Sequence, residues 1–383
     1  MSGAVDEYDV AVVGGGPAGA SAARAAAETG ARTVLLEKAE LPRYKTCGGG
    51  LIGPTLAHLP GDPPARVDVH RVSFTLRGGV PLQRVEHAPV LRTAARTELD
   101  AWLASAAASA GAEVRTRCGV TGVTGWQRAG DVVELATEQG PVRARTVVAA
   151  DGTSSRLARE VGVRLSRVDL GLEVELDVGA LGARWADRVH LDWGPLPGSY
   201  GWVFPKGDSL TVGVIAARGN PAQTRAYLAD LLRRQGLTGL RVLHDSGHLT
   251  RCRTPDSPLG AGRVLLAGDA AGLLEPWTRE GISFAVRSGL LAGAVAARGG
   301  AQDDGALQAR YRSAVGEELA VEMAAGEQCL RAFERRPAVF HHLLGGTGVG
   351  WRAFTRIARG DTTLARAWQH RSVRAAVGVL GGR

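Results

Sequence analysis

A glycine-rich turn, Gly14-Gly15-Gly16-Pro17-Ala18-Gly19, follows the short apolar run Tyr8 to Val13 and opens an alanine-rich stretch that reaches about Thr29. Strand, turn and helix in that order suit a pyrophosphate. Gly14 permits the tight turn, Gly16 lets the backbone approach the phosphates, and Gly19 lets the helix pack on the strand; the N-terminus of the helix, which begins at Pro17 and Ala18, then faces negative charge. Gly30-Ala31 ends the helix, Arg32 to Leu36 reads as a second strand, and Glu37 closes it. That places an acid about 20 residues beyond the turn, where it binds ribose hydroxyls. Together these residues predict a bound dinucleotide.

The turn alone does not separate a nicotinamide from a flavin. The distinction comes from Arg263-Val264-Leu265-Leu266-Ala267-Gly268-Asp269-Ala270-Ala271-Gly272, which reads as a strand, a Gly-Asp turn and then a helix beginning near Glu280. In flavoproteins of this pattern the Asp bonds the ribityl hydroxyls, and the next helix N-terminus faces the pyrimidine edge of the ring, where its dipole stabilises the anionic reduced form. A third segment, Val147-Val148-Ala149-Ala150-Asp151-Gly152 with Ser154, Ser155 and Arg156 after it, resembles the DG motif of flavoprotein hydroxylases. FAD is the cofactor these segments imply.

These motifs require an α/β fold: a Rossmann-like FAD-binding domain made of residues 1–70, 90–165 and 255–300, with a helix over Arg96 to Ala110. Residues 71–89 and 166–254 carry alternating strand signals, including Leu170 to Val178 and Leu210 to Ile215, and predict an inserted, mostly antiparallel substrate sheet. Residues 301–383 form a C-terminal helical segment in which Leu307, Tyr311, Val315, Leu319 and Met323 share an apolar stripe. A chain of 383 residues exceeds the usual size of one core. Its 45% hydrophobic and 22% charged composition is that of a soluble globular protein without a membrane span. Four scattered cysteines, Cys47, Cys118, Cys252 and Cys329, lack the spacing of a metal site or a disulfide framework. The opening Met1 to Asp9 is acidic where an export signal is basic. A cytoplasmic protein without metal is expected. The net charge of +8 favours anionic partners, and no motif points to nucleic acid. Only three of the 46 basic residues are lysines, Lys38, Lys45 and Lys206, and all three fall within motif regions.

Three further segments carry a family resemblance. Lys45-Thr46-Cys47-Gly48-Gly49-Gly50-Leu51 looks like a cysteine-glycine loop, Tyr200-Gly201-Trp202-Val203-Phe204-Pro205-Lys206 like a YxWxFPK signature, and Gly268 to Ile282 like a GDAAG and PxTGEGI segment. Together they resemble the geranylgeranyl reductase family, within the fold group of para-hydroxybenzoate hydroxylase. Arg279 departs from it, standing where that family usually has glycine, so that it could bind an anionic group or alter the loop.

The resemblance implies saturation of isoprenoid double bonds, with hydride from reduced FAD reaching one alkene carbon and a proton the other. It places Cys47, Tyr200 and Trp202 at the reaction, and Trp193 and Phe204 beside them as walls of a dry aromatic site. Lys38, Arg43, Cys47, Gly48, Gly49, Arg96, Asp151, Pro276, Gly281 and Ile282 join Gly14, Gly16, Pro17, Ala18, Gly19, Glu37, Gly268 and Asp269 around the cofactor. The electron donor is expected to be NAD(P)H or a reduced ferredoxin, and the substrate a hydrophobic, prenylated small molecule.

The same fold also serves aromatic hydroxylases, and Tyr200 to Pro205 has the spacing of the halogenase WxWxIP motif with its first Trp and its Ile replaced. A flavin-binding protein without an enzymatic role stays open as well. Trp351 to Arg383 holds seven arginines against Asp361, interleaved with Trp351, Phe354, Ile357, Leu364, Trp368, Val377 and Leu380. That pattern suits either a basic surface on anionic lipid or a cap on the substrate sheet with solvated arginines.

Overall fold

A computed structural model describes residues 6–126, 132–299 and 303–369. Its centre is a parallel sheet in the order Val264–Leu266, Val142–Ala149, Asp6–Val13, Thr33–Leu36, Glu113–Arg115. Val264–Leu266, Thr33–Leu36 and the ends of Asp6–Val13 and Val142–Ala149 nearest the site are buried on both faces, so they read there as continuous Val, Leu and Ala runs. The first helix, Pro17–Ala27, is buried along almost its whole length. It lies against helix Ile282–Ala297, where Gly289 and Gly293, one turn apart, face the carbonyls of Ala18 and Ala22 so closely that a Cβ at either glycine would strike backbone. The small residues there are what lets two helices and the sheet meet, which accounts for part of the chain's unusual glycine and alanine content.

A second sheet of seven strands runs Val242–Arg253, Leu165–Asp177, Ser209–Ala217, Tyr200–Pro205, Arg188–Trp193, Arg71–Leu76, Leu82–Val85. It is antiparallel throughout except where Arg188–Trp193 pairs with Arg71–Leu76. Strand Leu165–Asp177 alternates Leu170, Leu172, Val174 and Leu176 with Asp169, Gly171, Glu173 and Glu175. The apolar set joins a core with Leu228 and Leu231 of helix Pro221–Gln235. The acidic set must then face the other way, toward the cofactor sheet, because side chains alternate across a strand.

Beyond residue 303, helix Asp304–Val315 and its continuation bury Leu307, Tyr311, Val315 and Leu319 in the core of the parallel sheet, with Met323 partly buried beside them. The Tyr311 hydroxyl donates to the Leu266 carbonyl at 2.7 Å. Further helices, Val321–Arg335 and Gly348–Ala358, cover the far half of the seven-stranded sheet. There Phe333 meets Trp193 at 5.2 Å, and Trp351 and Phe354 pack on Phe74 at 6.2 and 5.8 Å. The lipid-facing reading of the tail therefore needs correction at Trp351 and Phe354, which turn inward. The Trp351 indole N–H donates to Glu86 at 2.6 Å, and Arg359 pairs with Glu86 at 3.0 Å. Trp351 is buried and Phe354 partly so. Val377, Leu380 and the last three arginines lie outside the described residues.

Candidate active site

The glycine turn is built by contact with the DG segment. Gly14 has φ +102°, and a Cβ there would sit 2.5 Å from the Ala150 carbonyl oxygen; a Cβ on Gly19 would run into the Gly14 carbonyl. Gly16 caps helix Pro17–Ala27 without any side-chain hydrogen bond, leaving the first-turn N–H groups free for an anion. Glu37 is buried at the end of strand Thr33–Leu36 and accepts from Gly15 N–H at 2.6 Å and Ala39 N–H at 2.9 Å. Asp151 carries a buried oxygen with no partner, and burial raises its pKa. Lys38 is exposed, with its charge near Asp151.

Arg43 and Arg96 share one carboxylate. Arg96 forks onto buried Asp100 at 2.8 and 2.9 Å, and Arg43 reaches Asp100 at 3.2 Å and Glu37 at 3.5 Å. Arg43 stands beside Gly16, within 3.7 Å of where its Cβ would be. Burial alone would weaken the charge on Arg96, yet Asp100 and a hydrogen bond to Cys47 raise its pKa overall.

At the other end, Gly268 (φ +57°) leads the short Gly268–Ala271 turn, and its N–H donates to Ser288 at 2.9 Å. Asp269 stays partly exposed, 3.4 Å from His248, whose ring also meets the Lys45 ammonium at 3.0 Å. Burial would raise the Asp269 pKa, but His248, Lys45 and Arg96 hold it below the usual carboxylate range. Burial and the repulsion of Arg96 lower Lys45. Gly281 caps helix Ile282–Ala297, which starts two residues later than expected, and a Cβ there would lie 3.9 Å from Asp269. Pro276 and Ile282 are buried in the same loop and helix start. The uncapped start of helix Pro17–Ala27, a glycine cradle, an orphaned Asp151 oxygen and a partly exposed Asp269 fit the two ends of FAD, while at helix Ile282–Ala297 the Glu280 carboxylate accepts the Ser283 N–H at 2.8 Å. Asp269→Ala is expected to lower FAD retention on gel filtration at least about tenfold, since it removes charged hydrogen bonds of the kind worth ~1.5–3 kcal/mol, with Tm of the apoprotein little changed.

The cysteine loop lies on the signature strand. The Cys47 N–H donates to Glu173 at 3.1 Å, its carbonyl accepts from Lys206 at 3.0 Å, and its sulfur accepts from Gly49 N–H at 3.4 Å. Gly49 has φ +73°, and a Cβ there would strike the Ala94 carbonyl; a Cβ on Gly48 would lie 3.2 Å from the Trp202 indole nitrogen. Trp202 lies flat on Gly213, where any side chain would displace the ring. Tyr200 is 5.9 Å from Trp202, and its hydroxyl donates to the Thr278 carbonyl. The cysteine loop, the signature strand and the loop before Gly281 thus meet. Phe204 joins them through Gly50, while Trp193 is sealed beneath Phe333.

A model of FAD dependent oxidoreductases matches residues 9–164. Digeranylgeranylglycerophospholipid reductase 1 of Methanopyrus kandleri is 33% identical over 315 residues, covering 78% of this chain and 82% of the relative. The chain belongs to the geranylgeranyl reductase family. The digeranylgeranylglycerophospholipid reductase of Methanocaldococcus jannaschii is 29% identical over 76% of this chain and 78% of its own. The family fold recurs in a geranylgeranyl bacteriochlorophyll reductase-like protein of Thermoplasma acidophilum, at TM-score 0.77 and 22% identity over 95% of this chain and 99% of that one. It recurs also in the flavin-dependent brominase Bmp2, at TM-score 0.72 and 19% identity over 97% and 98%. This geranylgeranyl reductase family member is therefore an FAD-dependent oxidoreductase.

Arg279, the departure from the family pattern, has a local explanation. Its φ of +55° is the backbone that favours glycine. The side chain is held by buried Asp169 at 3.0 Å and by the Trp277 carbonyl at 2.6 Å, with its guanidinium over the Tyr200 ring. Asp169 in turn binds Arg167 at 2.9 Å. Nε and Nη1 of the guanidinium are thus paired within the protein while Nη2 is buried without a partner, and the loop keeps its left-handed turn.

Sequence reasoning missed Glu173, Asp169, Asp100, His248 and Tyr44. The acidic alternation Asp169, Glu173, Glu175 in an apolar strand of a basic protein was the available signal for the first two.

Proposed function

We propose that this protein saturates carbon-carbon double bonds of an isoprenoid chain carried by a lipid-like molecule. The observation that carries this reading is the seating of the Cys47–Gly50 loop on Trp202, Phe204 and Lys206, beside the Asp269 and Gly281 end of the cofactor site. When bound, FAD would supply a hydride equivalent. The protein's own groups would do the rest. Gly14 to Gly19, Glu37, Arg43 and Arg96 would hold the dinucleotide, and Asp269 and the start of helix Ile282–Ala297 the flavin. Tyr200, Trp202 and Phe204 would exclude water and face developing positive charge on an unactivated alkene. Cys47, beside Arg96, would position or move a proton.

The relatives named as digeranylgeranylglycerophospholipid reductases support a prenyl lipid as substrate class. NAD(P)H or a reduced ferredoxin would return electrons. We place the enzyme in the cytoplasm, touching an anionic membrane face peripherally: no described helix is long and apolar enough to cross a membrane, and Arg352 and Arg356 point outward from helix Gly348–Ala358. To test the substrate class, reduced holoenzyme is mixed under nitrogen with a prenyl diphosphate, a prenyl ether lipid and a prenylated quinone, and flavin absorbance is followed. Reoxidation by at least one of them is expected. Flavin that stays reduced with all of them argues against an alkene acceptor.

A further inference from the structure

One row of residues crosses the seven-stranded sheet under the cysteine loop. Trp202 pairs with Gly213, Gly213 with Glu173, and Glu173 with Ser246, so all four side-chain positions share one face. Two polar atoms in this row are buried without a partner: Nε1 of Trp202 and Oε2 of Glu173. Glu173 is 1% exposed. Its other oxygen accepts the Cys47 N–H and lies 3.4 Å from the Tyr44 hydroxyl, which also meets Ser246 at 3.1 Å. Tyr44 stacks on His244 at 4.0 Å, and both line a cavity of about 260 Å³ with Lys45 and Glu175. A buried carboxyl is thus linked through one hydroxyl to a cavity and directly to the backbone of the loop carrying Cys47.

We propose that Glu173 is the proton reservoir of the alkene reduction, releasing its proton on the flavin side of the Cys47–Gly49 loop and recovering one from the cavity through Tyr44. The proposal rests on the reductase reading above. One hydride and one proton add across each double bond, the alkene electron pair entering the new C–H bond at the carbon that takes the proton. The O–H bond of Glu173 breaks in that step and leaves a carboxylate, which a solvent proton neutralises. Nε1 of Trp202 is the unpartnered donor in the same row, available to an intervening water.

The charge balance around Glu173 supports a carboxyl that holds its proton near neutral pH. Burial raises its pKa to about 7; Lys206 and the Cys47 N–H oppose this, Glu175 on the same strand adds to it, and the Tyr44 hydrogen bond opposes it. On the neighbouring strand Ser246 faces it, flanked by His244 and His248. Because the pKa is raised, the neutral acid is present below about 7 and is lost as pH rises through that value.

The test uses purified holoenzyme and Glu173→Gln, whose amide oxygen can still accept the Cys47 N–H. The variant is expected to retain FAD, to lose prenyl saturation about a hundredfold, within the range of one acid-base group, and to lose the wild-type fall in turnover above neutral pH. Infrared difference spectra of wild type against the variant should show a protonated-carboxyl stretch titrating near neutrality. Glu280, which burial also raises to about 7, cancels in that difference. Tyr44→Phe should slow steady turnover while leaving the first turnover unchanged. Wild-type turnover and pH profile in Glu173→Gln, or a Glu173 already ionised at acid pH, overturns the proposal alone. Failure of the wild type to saturate any alkene overturns the reductase reading and the proposal with it.

Discussion

Cys47→Ser is expected to keep FAD bound and to lose alkene saturation about a hundredfold, the scale of one group engaged in proton transfer. The sulfur accepts the Gly49 N–H at 3.4 Å and lies beside buried Arg96. A serine hydroxyl sits in the same place but ionises far less readily. Of the groups assigned to hold the dinucleotide Arg96 alone touches this side chain, and it keeps its fork onto Asp100 in the variant, so cofactor affinity should hold. The check is turnover per bound flavin. An unchanged value would reduce Cys47 to a residue that fits the loop.

Gly19→Ala should have the opposite signature. A Cβ at this position collides with the Gly14 carbonyl, so the helix start must move away from the turn that it serves. Overpacking of this kind costs about 1–3 kcal/mol, and the free N–H groups at the start of helix Pro17–Ala27 lose their aim. Loss of FAD affinity by at least about a hundredfold, equivalent to ~2.7 kcal/mol, is expected. The purified variant should be colourless. A yellow variant with wild-type flavin content would show that the pyrophosphate does not sit on this turn.

The cofactor half of the molecule was legible because glycine spacing records local backbone geometry. Gly14, Gly19 and Gly268 each permit a close approach that other side chains would block; that of Gly19 to the Gly14 carbonyl is local, while Gly14 meets Ala150 and Gly268 meets Ala18 across the fold. Helix and strand limits differ from the sequence reading by small amounts: the strand expected over Leu170 to Val178 spans Leu165–Asp177, and the helix expected near Glu280 starts at Ile282.

The substrate face was less legible. Glu173 meets Tyr44 from 129 positions away, and Tyr44 meets Ser246 from 202. Alternation shows that Asp169, Glu173 and Glu175 share a face, but only the pairing of three strands shows what that face meets. The ion pair of Arg279 with Asp169, 110 positions earlier, was equally beyond reach of the sequence. At Trp351 and Phe354 the basic and aromatic pattern had two physical meanings, a lipid surface or a capped core. Contacts with Phe74 turn these two rings toward the core and leave Arg352 and Arg356 on the outer side.

The most direct test of the account is the mass of the product. Reduced holoenzyme is given one prenyl lipid under nitrogen and the same lipid under air, and the products are weighed by mass spectrometry. The account predicts a gain of two hydrogen atoms per reacted double bond under nitrogen, and no oxygen in the product under air. A product that gains an oxygen atom, formed only when air is present, would contradict it and make the protein an oxygenase.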